Sequence, residues 1–291
     1  MIFPPGQVWL ASYPKSGNTW MRILLSNLLS GNETPEDINN LSLRDGMACH
    51  REDFEELTQL DSSLLRPHEI EELLPAVHDA RAATLTTARF VKVHDAWSHL
   101  PDGRPVLGAA ARAALYLVRD PRDIAVSFAF HQADTFDRTI ERLNRPGNFL
   151  AAGQFHFAQK LDDWTSHVRS WLDQTDLPVC LIRYEDLRAD TSGVFRRSLE
   201  FLGAEFPDEA AARDAVSRAV RHADFSELRR QESEKGFHER GAKQAMFFRE
   251  GRSGAWREHL SKAQVRQIEG AHAATMARLG YELADTGDGI A

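Results

Sequence analysis

The chain is short of everything that would mark a secreted, metal-binding or membrane-spanning protein. Of its 291 residues only Cys49 and Cys180 are cysteines. Two thiols so far apart suggest neither a disulfide framework nor a zinc site, and they fit a reducing compartment. The twelve histidines and the carboxylates form no HExxH or paired CxxC spacing, so no metal is expected. No apolar run approaches the ~18 residues that a membrane-spanning helix needs. The opening MIFPPGQVWLASYP has neither a basic flank nor a long apolar centre, which argues against a secretory signal. Positive charge is in deficit: 43 acidic against 35 basic residues give a formal charge of −8. That balance disfavours a general nucleic-acid binder and still permits a local basic pocket. Internal repeats and low-complexity linkers are also missing. The expectation is a cytoplasmic protein with neither membrane nor nucleic acid as partner.

What is present is an apolar fraction of 42%, enough for a sizeable core. It suggests one large α/β domain or two closely merged ones, and residues 1–291 are read as one. Gln7 to Ser12, Ala88 to Val93, Ala113 to Val118 and Pro178 to Arg183 read as buried strands. Helical spacing runs over Asn18 to Ser30, stopped by Gly31, and over Pro67 to Ala80, Phe155 to Gln174, Glu209 to Arg221 and Lys262 to Leu279. In the third of these, Phe157, Leu161, Trp164, Val168 and Trp171 share a stripe that suits a core. Another helix begins at Leu187 and ends near Gly203. Asp120 before Pro121 is a helix start, a capping carboxylate followed by proline at the first helical position. Gly31 to Arg66 is polar and irregular, with a helical patch at Arg51 to Leu60. Gln231 to Gly254 is expected to be a mobile loop, and 285–291 a frayed tail. Strands alternating with helices imply a central, mainly parallel sheet flanked by helices on both faces.

The most informative stretch is Val8 to Leu29, VWLASYPKSGNTWMRILLSNLL. A turn after a buried strand that leads into a helix aims several backbone N–H groups at one spot. The helix N-terminus adds partial positive charge, Lys15 a full charge, and Ser16, Asn18 and Thr19 further donors. Gly17 allows close backbone approach. Together these favour an anion, most naturally a phosphate. The pattern is not the Walker A loop, since Lys15 precedes Gly17 and no glycine opens the loop.

Tyr13 to Trp20, YPKSGNTW, resembles the 5′-phosphosulfate loop YPKSGTTW of the sulfotransferases at seven of eight positions. The resemblance implies a P-loop-NTPase-like α/β sulfotransferase fold and 3′-phosphoadenosine 5′-phosphosulfate as sulfonate donor. It also implies a second anion site. LYLVRDPRDIAVSFAFH has the family's form, in which Arg119 forks onto the donor's 3′-phosphate and Ser127 adds a hydroxyl. IRYEDLRAD matches a segment that would bring Tyr184 near the adenine, with Glu185 and Asp186 capping the next helix. ADFSELR resembles a third, from which Phe225 and Trp20 would sandwich the purine. FFREGRSGAWREHL resembles the family's RKGxxGDWKxxL, so that Arg249 and the Gly251 backbone would close over the 3′-phosphate beside Phe248. Two residues depart from that pattern: Glu250 replaces lysine and Ala255 replaces aspartate. Arg257, Ser261, Lys262 and Arg266 do not match the family's dimer segment, so no dimer is carried over.

Sulfonate transfer moves an SO₃ group in line between two oxygens, so positioning and charge stabilisation dominate. The family's strand-end histidine falls on His94 of FVKVHDAW, the candidate general base. Lys92, on the same face, would hold sulfonate or bridging oxygens, and Lys15 would balance charge on the bridging oxygen. His131 and His156 are candidates to line the acceptor pocket. The implied partner is a small molecule bearing a hydroxyl, selected by segments 31–88 and 132–158. Two other readings stay open: a nucleotide kinase, disfavoured by the displaced lysine, and a non-catalytic phosphoadenosine-nucleotide binder, in which Glu250 marks lost catalysis.

Overall fold

In the computed structural model, which describes residues 1–43, 46–240 and 246–284, four parallel strands form the central sheet. The strands in chain order are β1 (Gly6–Ser12), β2 (Ala88–Val93), β3 (Ala113–Val118), β4 (Phe149–Leu150), β5 (Gln159–Lys160) and β6 (Val179–Arg183). The sheet runs β2-β1-β3-β6, while β4 and β5 pair antiparallel outside it. Alternation along β1 makes it a two-faced core strand. Val8 and Leu10 join Ile23 and Leu24 of α1 (Asn18–Ser30) in one apolar cluster. Trp9 and Ala11 join Tyr116 and Trp171 in another. The chain leaves β1 for β2 on one side and reaches β3 on the other. The carboxyl ends of β1 and β3 therefore border the crevice where sheet connections diverge.

Several elements fall where the residue pattern puts them. Gly17 and Gly31, both with positive φ (102° and 63°), bracket α1. The Asp120 side chain accepts from the Arg122 N–H at 2.9 Å, and Pro121 opens α4 (Pro121–Gln132). The helical patch is α2 (Arg51–Thr58), and the next helix is α3 (Pro67–Ala83). Near the C-terminus lie α9 (Glu209–His222), the single turn α11 (Trp256–His259) and α12 (Lys262–Arg278). None of the helices among the described residues is long and apolar enough to cross a membrane.

Other expectations need correction. The helix expected over Phe155 to Gln174 is only α6 (Trp164–Leu172). Asp162 adopts φ 58°, and Asp163 caps the helix by accepting from the Ser166 N–H at 3.0 Å. Upstream, Phe157 leaves the stripe and packs edge-on against Phe54 of α2. Strand β6 lies at the sheet edge, with Leu181 41% exposed, so it is not fully buried. The helix expected from Leu187 to Gly203 is two, α7 (Tyr184–Ala189) and α8 (Thr191–Phe201). Asp190 breaks between them and caps the second through the Gly193 N–H. Glu185 instead accepts from the Asp120 N–H and the Tyr281 hydroxyl, and Asp186 pairs with Arg183. The stretch expected as loop from Gln231 starts in helix: α10 (Phe225–Lys235) ends at Gly236, φ 73°. An additional helix, α5 (Phe136–Leu143), capped by Thr135, follows α4. The tail 285–291 lies outside the described residues.

Candidate active site

The carboxyl ends of β1, β2 and β3 open into a cavity of about 400 Å³. Lys15 and residues 17–20 of the first loop line it, as do Lys92 and His94 from the end of β2. Arg119 and Ser127 border it from β3 and α4, and Tyr184 from α7. Phe225, Phe248, Arg249 and Gly251 close the remaining side. Of the residues assigned to the donor, Ser16 alone does not line this space: it is fully buried, and its Oγ has no hydrogen-bond partner.

The first loop is held by its own polar side chains. Asn18 Nδ2 donates to the Leu10 carbonyl at 2.8 Å and to Ser12 Oγ at 3.2 Å, tying the helix start to β1. Lys15 takes a left-handed φ of 70°, and its ammonium sits 4.1 Å from the centroid of the Phe247 ring. Burial, with repulsion from Lys92 and Arg119, brings the Lys15 pKa down to about 7. At Gly17 a Cβ would stand 2.8 Å from the Tyr184 ring, so only glycine fits this turn. Thr19 donates its hydroxyl to Glu239 at 3.0 Å. Trp20 Nε1 donates to the Ala223 carbonyl at 2.9 Å, which fixes the indole beside the Tyr184 ring.

Arg119 bridges two parts of the wall. Its guanidinium stacks on Tyr184 at 4.3 Å and donates to the carbonyls of Lys15 (3.3 Å) and Arg252 (3.0 Å). Its Nε is buried without a partner. On the opposite lip, Gly251 lies so close to Phe225 that a Cβ would come within 2.4 Å of the ring. Arg249 is ion-paired with Glu250, and Glu250 also reaches Arg252 at 3.0 Å. Asp123 accepts from the N–H groups of Gly254 (2.7 Å) and Trp256 (3.0 Å), fastening this lip to α4.

His94 is oriented by β1. Its Nδ1 lies 2.7 Å from the Ser12 carbonyl oxygen, an atom that only accepts, so Nδ1 carries the hydrogen and Nε2 keeps its lone pair. Burial and the charge of Lys92 push its pKa down to about 3, so the ring is neutral at physiological pH. Behind it, His167 Nε2 donates to the His94 carbonyl at 3.0 Å, and the Tyr116 hydroxyl donates to His167 Nδ1 at 2.9 Å. Burial also lowers the Lys92 pKa, although Glu239, 3.5 Å from its Nζ, pulls the other way.

His131 lines the cavity, whereas His156 does not: it sits opposite His50 in a short antiparallel bridge. Phe247, at the start of FFREGRSGAWREHL, also lines the cavity, as do Glu239, Met47 and Gln159, which carry no local motif. Among the described residues no cluster of three or more His, Cys, Asp or Glu is arranged to hold a metal.

Residues 5–280 match the sulfotransferase domain family. Cytosolic sulfotransferase 16 of Arabidopsis thaliana is 22% identical over 276 residues, covering 91% of this chain and 75% of the plant protein. Sulfotransferase 1 family member D1 of Rattus norvegicus is 23% identical, covering 91% and 81%. Among solved structures, retinol dehydratase in complex with androsterone and the inactive cofactor PAP superposes with a TM-score of 0.60. It is 23% identical, with 93% of this chain and 80% of that one covered. Mouse sulfotransferase SULT7A1 complexed with PAP gives 0.57 at 19% identity, covering 94% and 85%. With the family matched over nearly its whole length, the chain belongs to the sulfotransferases.

Proposed function

We propose that this chain moves a sulfonate group from 3′-phosphoadenosine 5′-phosphosulfate to the hydroxyl of a small molecule, with His94 as general base. The observation that carries this reading is convergence. Residues from seven separated segments, 15–20, 92–94, 119, 127, 184, 225 and 248–251, border one cavity.

The donor would supply an activated sulfonate on a phosphate leaving group; the residues supply binding, charge and a proton acceptor. The buried Arg119 Nε, on the cavity wall and without a partner, suits a ligand rich in acceptors. The glycines at 17 and 251 leave room for close approach. In this reading Lys15, Thr19 and Lys92 hold the sulfonate end, and Arg119, Ser127, Arg249 and Gly251 the 3′-phosphate. Trp20, Tyr184, Phe225 and Phe248 provide surfaces for the purine. The free Nε2 of His94, on the cavity wall, takes the hydroxyl proton. An anion in the cavity offsets the Lys92 charge that otherwise disfavours the imidazolium.

The acceptor is a hydroxylated small molecule. Met47, Gln132 and Leu150 bring segments 31–88 and 132–158 into the cavity wall, which supports their role in choosing it. A single domain over 1–291, a cytoplasmic location and independence from metal go with this reading. The cytosolic relatives support the location. The deciding experiment is transfer of radiolabelled sulfonate to a panel of phenols and alcohols, beside calorimetry with adenosine 3′,5′-bisphosphate and AMP. Transfer and preference for the bisphosphate are expected. Equal binding of both nucleotides would overturn the reading.

A further inference from the structure

The Glu239 carboxylate lies among the groups assigned to the donor's anionic end. It accepts from the Thr19 hydroxyl at 3.0 Å and from Arg22 at 2.5 Å, and it pairs with Lys92 at 3.5 Å. Thr19 and Lys92 line the cavity with it, and Arg22 stands one helical turn beyond Thr19 on α1. The segment that carries Glu239 is fixed from outside the cavity. Gly236 ends α10 with φ 73°, and Asn39 clasps the chain by donating to the Gly236 carbonyl (3.0 Å) and accepting from the His238 N–H (2.8 Å). Phe237 packs against Phe247 and Phe248 on the cavity wall. Glu239 is thereby delivered to the cations by a neighbouring backbone with its own anchors. The other two carboxylates on the cavity wall have different partners: Asp123 holds backbone N–H groups, and Glu250 holds arginines.

We propose that Glu239 is an internal plug for the sulfonate end of the donor site. Its carboxylate satisfies Thr19, Lys92 and Arg22 until an anionic ligand displaces it. This rests on the donor assignment above. Two anions cannot both be desolvated on the same few donors, so the carboxylate must rotate out before a phosphosulfate enters. The apparent affinity of the protein for its donor is then the intrinsic affinity reduced by the fraction of molecules in which Glu239 is out. The plug also answers a problem of the free protein. Lys15 and Lys92 line one pocket with Arg22 beside it, and a carboxylate compensates their charge while no ligand is bound.

The test is calorimetry with adenosine 3′,5′-bisphosphate, and with inorganic sulfate as a minimal anion, on the wild type, Glu239→Gln and Glu239→Asp. The Gln variant keeps the shape and an acceptor for Thr19 but loses the charge. The Asp side chain is one methylene too short to hold all three partners. We expect both anions to bind at least about tenfold more tightly to the Gln variant, with a smaller gain for Asp. Near-UV circular dichroism checks the fold, and if Gln does not fold, Asp decides. A wild type that binds AMP as well as the bisphosphate removes the donor assignment and the plug with it. A clear preference for the bisphosphate, with affinity unchanged or weaker in the variants, removes the plug alone. Turnover lost with no gain in affinity would make Glu239 a fixed positioning partner of Lys92, which also overturns the plug.

Discussion

The guanidinium of Arg122 meets the carboxylate of Glu269 at 2.6 Å, with both side chains less than a tenth exposed. The same guanidinium binds Asp120 at 2.6 Å and stacks on Trp256 at 4.1 Å. This buried triad locks α12 to the start of α4, three residues after Arg119 enters the cavity wall. Replacing Arg122 by Met would leave two buried carboxylates without their cation. The expected loss is about 3–5 kcal/mol of stability. The urea midpoint measures it, and a shift under about 1 kcal/mol would mean that water reaches the triad.

In the proposed reaction, His94 is the residue on which the chemistry turns. Substitution by Ala removes the proton acceptor while Lys15, Arg119 and Trp20 remain. Turnover should fall by roughly 10²–10⁴-fold. The affinity for adenosine 3′,5′-bisphosphate should stay within about threefold, less than 1 kcal/mol. Undiminished turnover takes His94 out of the reaction. Lost binding with lost turnover would give the ring a structural role instead, through the Ser12 carbonyl that it holds.

Local signals were legible wherever the cause was local. The glycines at 17 and 31 delimit α1, Asp120 and Pro121 open α4, and the β1 and β3 runs are apolar because both faces are covered. The octamer at Tyr13 located the cavity because a loop of that kind converges backbone donors by itself. The helix at Trp164 is shorter than its apolar spacing implies: the spacing continues through Phe157 and Leu161, whereas Asp162 and Asp163 impose a turn and a cap. The plug was invisible: Glu239 is 220 residues from Thr19, and only the tertiary fold brings them together. The two arginines of RDPRD look alike in sequence. Structure separates them, sending Arg119 to the cavity and Arg122 to the triad.

Lys15 predicts a pH dependence of donor binding. Burial, Lys92 and Arg119 bring its pKa to about 7 in the free protein, far below the ordinary 10.5. A bound anion favours the charged form and raises that value again. The complex therefore holds more protons than the free protein above pH 7, and affinity falls as pH rises. Where Lys15 alone titrates, the slope reaches about one log unit per pH unit. Calorimetry at pH 8 in buffers of different ionisation enthalpy should detect proton uptake. That uptake should disappear in Lys15→Met; if it persists unchanged there, another group is responsible.

Glu250 tests the other end of the donor. It is ion-paired with Arg249 and Arg252 and 3.4 Å from His259 Nε2, where the family's pattern has a lysine. A carboxylate here draws Arg249 away from any incoming phosphate and adds a repulsion of its own. Glu250→Lys reverses the local charge and frees Arg249. If the 3′-phosphate sits at this lip, affinity for adenosine 3′,5′-bisphosphate should rise by about tenfold, or about 1.4 kcal/mol. AMP lacks that phosphate and should bind about as before, since the proposed donor site puts its phosphate at the Lys15 end. The decisive quantity is the ratio of the two affinities, because a general change in the pocket would move both together. A ratio that does not change places the 3′-phosphate elsewhere. A ratio that rises assigns the lip, and it makes Glu250 a residue that holds this chain's donor affinity below what its arginines alone would provide.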